Sequence, residues 1–189
     1  VPRIERVITV SAEPVVVESA EPAGGVTVRR ARTGDVPRIQ QLVEPLVMEG
    51  ILLGKDLVVL YENVQEFRVA VDASGEVVGC GALHVMWEDL GEIRTLAAAP
   101  HTRGTGVGHA ILERLEDDAR ELGLSRLFCL TFEVGFFSRH GYHEVAESII
   151  AQEIYYEMLR SHDEGIAEFL DLSRVKPNTL GNTRMLKAL

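Results

Sequence analysis

The chain has 189 residues, 46% of them hydrophobic, with 29 acidic against 19 basic side chains and a formal net charge of −10. That length and apolar content suffice for one full core, and the acidic balance argues against a nucleic-acid or anionic-membrane partner, both of which call for clustered Lys and Arg. No apolar run approaches the ~20 residues of a membrane span and no signal-peptide stretch is present, so a cytoplasmic location is expected.

Residues 1–25 carry repeated Ala-Glu-Pro elements and finish in Gly24-Gly25, the composition of an extended or disordered arm, with residues 26–189 as a single domain. Val7 to Val10 and Val15 to Val17 have β-propensity, which would let the arm pair with a sheet edge or with a second subunit in a homodimer. A short strand from Val26 to Arg30 leads into a helix whose buried face is Ile39, Leu42, Val43, Leu46 and Val47, with Pro45 expected to kink or end it. Leu57, Leu60, Val64 and Phe67 mark a second helix, with Asp56 as its N-cap.

Phe67 to Val85 reads as two strands around an Asp72 to Gly75 turn, followed by a strand carrying Glu92 and ending in Leu96 to Ala99 before Pro100. Behind it, Val107, Ile111, Leu115, Ala119 and Leu122 recur at the spacing of one helix face until Gly123 stops the helix. Arg126 to Thr131 is another apolar strand, helical patterns follow around Glu153 to Arg160 and Ile166 to Leu170, and TRMLKAL closes as a last strand. Cys80 and Cys129 fall inside predicted strands and read as buried thiols without metal or disulfide duty. The six histidines have no metal-ligand spacing, so no metal is assigned.

The segment GEIRTLAAAPHTRGTGVG, residues 91–108, carries the most chemistry. An apolar strand runs into a glycine-rich loop that opens an amphipathic helix. Orphan N–H groups and the positive dipole end at such a helix start favour a phosphate. No Lys-Ser or Lys-Thr follows the glycines as a P-loop needs, and glycines at 104, 106 and 108 lack the G-x-G-x-x-G spacing of dinucleotide folds.

Arg103-x-x-Gly106-x-Gly108 does match the R/Q-x-x-G-x-G/A signature of the GNAT superfamily of N-acetyltransferases. FFSRHGYHEV, from Phe136 to Val145, resembles that superfamily's last helix and closing Gly-aromatic turn, so the resemblance spans Val26 to Ala146. It implies an α/β (α+β) GNAT fold, with a mixed central sheet flanked by helices and a splayed acyl-CoA cleft. The runs GCGAL at 79–83, GEIRTLAAAP at 91–100 and VKPNTLGNTRML at 175–186 are most similar to the short-form amino-acid N-acetyltransferases that make N-acetylglutamate in arginine biosynthesis.

Acetyl transfer to an amine requires a neutral nucleophile, a donor for the charging thioester oxygen and an exit for the thiolate. An α-amine titrates near ~8 and a thiol near ~8.5, so positioning should contribute most. The resemblance implies acetyl-CoA as co-substrate, backbone N–H donors at Leu96, Ala97 or Ala98 for the oxyanion, and a phosphate and pantetheine wall from Arg103, Gly104, Thr105, Gly106, Val107 and Gly108 with Phe136 and Phe137. Glu92 is the expected base, four residues before Leu96 and thus on one strand face with Arg94 and Leu96. Many relatives place a tyrosine acid four residues before the Gly of the Gly-aromatic pair, and Phe137 stands there instead. Thr131 is then the candidate hydroxyl donor, or the thiolate leaves unassisted.

The resemblance puts the acceptor wall at ILLGK, residues 51–55, and an anionic acceptor needs cations, for which Lys55, Arg94 and Arg184 are the candidates. The small-molecule acceptor is L-glutamate or L-glutamine. The alternatives are another small amine, a protein N-terminus, or a non-catalytic acyl-CoA sensor acting through the proline-rich arm.

Overall fold

The computed structural model describes residues 25–146, 149–172 and 181–189. Residues 1–24 of the arm and the first half of the VKPNTLGNTRML run, residues 175–180, lie outside them. A seven-stranded sheet, β1 (Thr27–Arg30), β2 (Phe67–Val71), β3 (Val77–Val85), β4 (Leu90–Ala98), β5 (Arg126–Thr131), β6 (His143–Glu144) and β7 (Thr183–Ala188), has the order β1-β2-β3-β4-β5-β7-β6. Every pairing is antiparallel except β4 with β5. The helices are α1 (Val36–Met48), α2 (Leu57–Glu62), α3 (Val107–Glu121), α4 (Val134–Arg139), α5 (Gln152–Met158) and α6 (Glu164–Phe169).

α3 packs its Val107, Ile111 and Leu115 face on β3, and the glycines of the GCG run make that close approach possible. A Cβ at Gly79 would lie 2.7 Å from Val107, and one at Gly81 would lie 2.8 Å from Ile111. Glycine here is a packing requirement, since real Cβ atoms do not sit that close. Arg68 of β2 and Asp118 of α3 form a buried pair at 2.7 Å that ties sheet to helix. A second apolar cluster of Met86, Leu90, Phe128, Met158, Ile166 and Phe169 seats α5 and α6.

Several expectations shift. α1 runs through Pro45 to Met48 without ending there. The carbonyl deprived of a donor belongs to Gln41, which like Pro45 is exposed, so water can satisfy it. The second helix stops at Glu62, Val64 lies in a 3-10 turn and Phe67 begins β2. Asp56 occupies the N-cap position, but its side chain accepts no capping bond. Leu122 is 61% exposed just past the end of α3, and Leu112 is buried in the helix stripe instead. Cys80 and Cys129 are both free and buried.

Candidate active site

β4 and β5 pair only over Leu90–Glu92 and Arg126–Phe128. Beyond that point β4 stays with β3 as far as Ala98 and β5 stays with β7 as far as Thr131. The two strands therefore diverge, leaving a cleft between unpaired strand edges. An irregularity sits at the mouth of this cleft. Thr95 has φ +58, and the register with β3 slips by one residue between Arg94 and Ala97. Such a bulge breaks the alternation of side chains.

The bulge overturns one expectation. Glu92 and Arg94 share a face, with Arg94 Nη1 3.7 Å from Glu92 Oε2. Leu96 projects to the opposite face, where its Cδ1 would lie 3.0 Å from a Cβ at Gly81, among Ile111 and Leu115 of α3. The Ala97 N–H is directed at the Cys80 thiol and the Ala99 N–H donates to Val78 O, both on β3. Because N–H direction alternates along a strand, the amides of Leu96 and Ala98 are the ones facing the cleft.

The cleft leads to the start of α3, a 15-residue helix whose N-cap is Gly106 at φ +92, preceded by Gly104 at φ +76. These left-handed conformations favour glycine and turn the loop so that the first-turn N–H groups of Val107 and Gly108 have no partner further back in the helix. A 3-10 turn at Pro100–Thr102 sets up the loop, with the Thr102 hydroxyl donating to Ala99 O and the Thr105 hydroxyl to Thr102 O. Arg103 is exposed beside it. The half-buried Phe136 ring would lie 3.6 Å from a Cβ at Gly108. Phe137, in contrast, is 4% exposed, locked edge-on between Phe136 and Tyr142, so it backs the wall and does not line it.

On the Glu92 face lies a cavity lined by Lys55, Glu92, Arg94, Leu130, Gly165 and Glu168, among others. Glu92 is 3% exposed and its Oε2 has no hydrogen-bond partner. Burial raises its pKa, only partly offset by Arg94 and His84. Arg94 is not a free cation: Nη1 donates to both oxygens of Asp163 at 2.9 and 3.0 Å, and Nη2 donates to Glu66 at 2.9 Å. Glu66 also contacts His84 Nδ1 at 2.7 Å. Burial would raise the pKa of Glu66, but His84 and Arg94 outweigh it and hold the carboxyl below its ordinary value. Asp163, against the same burial, is likewise held low by Arg94.

Lys55 is half-buried in this cavity and among the described residues forms no ion pair; burial first, then Arg94, lowers its pKa. Arg184 lies elsewhere. It lines a neighbouring cavity of about 370 Å³, stacked over Phe128 and Phe169 at 5.1 and 5.5 Å. Its terminal nitrogens donate to the carbonyls of Glu168 and Phe169. Lys55, Arg94 and Arg184 thus do not converge, because Arg94 is spent on internal carboxylates and Arg184 on the end of α6. Thr131 is buried and its Oγ1 accepts the Glu133 N–H at 2.9 Å, fixing the turn into α4.

Glu66, His84, Asp163, Glu168 and Asn182 join the site without having been singled out by sequence. His84 is the register partner of Glu92 across the β3–β4 hairpin, and Asp163 is the N-cap of α6, accepting from the Ile166 N–H at 3.0 Å. Both signals were readable locally. Glu168 and Asn182 offered none, since only the packing of α6 and β7 aims them inward.

Gly165 is closely enclosed by the charged groups of the site. A Cβ there would lie 2.8 Å from Glu92 Oε2, 2.9 Å from Arg94 Nη1 and 3.0 Å from Asp163 Oδ1. Gly165→Ala should therefore displace the Arg94–Asp163 contact and cost about 1 to 3 kcal/mol, the range for overpacking, read by denaturant unfolding.

Among the described residues no group of three or more His, Cys, Asp or Glu could hold a metal, and no helix is long and apolar enough to cross a membrane. The acetyltransferase (GNAT) family matches residues 46–143. The amino-acid acetyltransferase of Mycobacterium tuberculosis is 60% identical over 164 residues, covering 86% of this chain and 94% of that protein. That of Neisseria meningitidis is 37% identical over 124 residues, which are 65% of this chain but 28% of the longer relative. Among solved structures, Rv2747 from Mycobacterium tuberculosis in complex with CoA and NLQ superposes with a TM-score of 0.84 at 59% identity, covering 86% of this chain and 99% of the other. N-acetylglutamate synthase from Neisseria gonorrhoeae, complexed with coenzyme A and N-acetyl-glutamate, gives 0.69 at 28% identity, covering 87% and 35%.

Proposed function

Because the chain belongs to the acetyltransferase (GNAT) family, we propose that it moves acetyl from acetyl-CoA to the α-amine of L-glutamate or L-glutamine, the first step of arginine biosynthesis. The observation that carries this reading is a buried carboxylate, Glu92, whose Oε2 accepts no hydrogen bond, in a cavity it shares with Lys55, which forms no ion pair among the described residues, at the point where β4 and β5 part.

The residues present fit an acyl-CoA. The left-handed glycines at 104 and 106 expose the amides at the start of α3 to a pyrophosphate, with Arg103 beside them and Phe136 along the wall. Bound there, acetyl-CoA supplies the activated acyl group. The amides of Leu96 and Ala98 face the cleft, placed to stabilise an oxygen gaining negative charge. Glu92 takes a proton from the acceptor ammonium. Its raised pKa makes it a stronger base than an exposed carboxylate, so activity should climb as pH rises through its titration. Thr131, whose hydroxyl hydrogen is not used in accepting the Glu133 N–H, is the candidate donor to the departing sulfur.

Lys55 is the cation left for an acceptor carboxylate. Lys55→Met should raise the acceptor KM by about one to two decades, the ~1.5 to 3 kcal/mol of a charged hydrogen bond, with the acetyl-CoA KM unmoved. A larger penalty for glutamate than for glutamine would put Lys55 on the side-chain carboxylate. Equal penalties would put it on the α-carboxylate. Free-thiol release with each of the twenty amino acids tests the function itself: turnover with glutamate or glutamine supports it, and tight CoA binding without turnover of any amine would make the chain an acyl-CoA sensor.

A further inference from the structure

The reaction proposed above leaves a proton to dispose of. An ammonium enters and an amide leaves, so the nitrogen gives up two protons as the C–N bond forms and the C–S bond breaks with its electron pair going to sulfur. One proton ends on the thiol. The other must reach water, yet Glu92, which removes it, is only 3% exposed.

We propose that Glu168 is the proton exit of this site, receiving the proton from Glu92 and passing it to water in the neighbouring cavity. The inference rests on the amino-acid N-acetyltransferase reading. Glu168 stands at the partition: it lines both the Glu92 cavity and the adjoining cavity of about 370 Å³. It is 9% exposed, and among the described residues its carboxylate makes no hydrogen bond or ion pair. The site's other acids differ, because Glu66 is taken by His84 and Arg94, and Asp163 by Arg94 and the Ile166 N–H. Among the acids that line the Glu92 cavity in the described residues, Glu92 and Glu168 are the two left to carry a proton.

The charged surroundings suit a relay at neutral pH. Burial and the negative charge of Glu92 push the Glu168 carboxyl up to about 7, with Lys55 opposing from the ILLGK loop and Glu164 and Asp163 adding to it from its own helix and cap. Arg94 of β4, Arg184 of β7, Tyr155 of α5 and Asp171 complete the titratable and charged groups around the two cavities. Of these, Arg94 and Arg184 are held by other partners. A carboxyl titrating near its working pH accepts and releases a proton with little cost in either direction.

The test is the pH profile of steady-state acetylation with saturating acetyl-CoA. Wild type should show an ionisation near 7 on its acid limb, and Glu168→Gln should lose it, with kcat at pH 7 lowered tenfold or more and the acetyl-CoA KM unchanged. Imidazole buffer, small enough for the second cavity, should restore the rate of Glu168→Gln in proportion to its concentration while leaving wild type unaffected. A merely structural glutamate would give neither response. Glu168→Asp carries the test if the amide variant does not fold: it should keep the ionisation with reduced kcat, and an unchanged kcat overturns the relay. A Glu168→Gln profile parallel to wild type at every pH, with no buffer response, also overturns it while leaving the enzymatic reading intact. If wild type acetylates none of the twenty amino acids, both fall together.

Discussion

Glu92→Gln is expected to lower kcat by about two to four decades at pH 7, the range contributed by a positioned general base, with little change in acetyl-CoA affinity. The amide keeps the shape of the side chain but cannot take a proton. Part of the loss should return at high pH, where an α-amine titrating near ~8 arrives already neutral. The same substitution should alter stability in the opposite sense. Burial raises the Glu92 carboxyl above its ordinary 4.5, so the folded protein holds that proton more tightly than the unfolded chain does. Wild-type stability contributed by this group is complete below the unfolded value and declines as pH rises above it. Glu92→Gln should therefore melt higher than wild type at pH 8, and the gap should close below pH 4.5. An unaltered rate across pH, or a variant that melts lower at pH 8, would make Glu92 a structural residue.

The second large effect is on the cofactor side. Gly106 has φ +92 at the N-cap of α3, and nothing lies within 4 Å of the position a Cβ would take. Gly106→Val therefore meets no clash in the protein. It instead places a β-branched residue in the left-handed region, which costs roughly 1 to 2 kcal/mol, and puts atoms where the pyrophosphate must approach. If the strain is relieved by turning the loop, the first-turn N–H groups swing away and a charged hydrogen bond of about 1.5 to 3 kcal/mol is lost. CoA affinity measured by calorimetry should fall by at least about one to two decades, while the melting temperature drops by only a few degrees. An unchanged affinity would remove this loop from the phosphate site.

The two substitutions act on parts of the molecule that were legible to different degrees. The glycine-rich loop could be read directly, because φ above zero and a helix start are properties of a few consecutive residues. Strand and helix positions followed for the same reason from period-2 and period-3.6 patterning. The exceptions were local competitions: Pro45 was tolerated because the Gln41 carbonyl it leaves without a donor belongs to an exposed residue that water can reach, and Phe67 left its helical pattern to start β2. Leu122 fell past the helix end into solvent.

The charged site was less legible. Glu92 could be singled out through the family resemblance, which expects a base at this place in the strand. The strand bulge at Thr95 could not, and it is the bulge that sends Leu96 to the α3 face while Glu92 and Arg94 stay on the opposite face, toward the cavity they share. Lys55, Arg94 and Arg184 looked equivalent as isolated cations. Whether a cation is available depends on which carboxylates reach it, and Glu66 and Asp163 come to Arg94 from 28 and 69 residues away.

By itself, then, the sequence determined what depends on neighbours in the chain: the elements, the glycine-rich helix start, the small residues that let α3 approach β3, and the place of Glu92 in the strand before the alanine run. The tertiary structure alone decided which charges neutralise each other, which amides face the cleft and which carboxylates, among the described residues, are left without a hydrogen bond. Those outcomes depend on long-range contacts and burial, where a charge's energy is set by the partners and solvent that the fold brings to it or takes away.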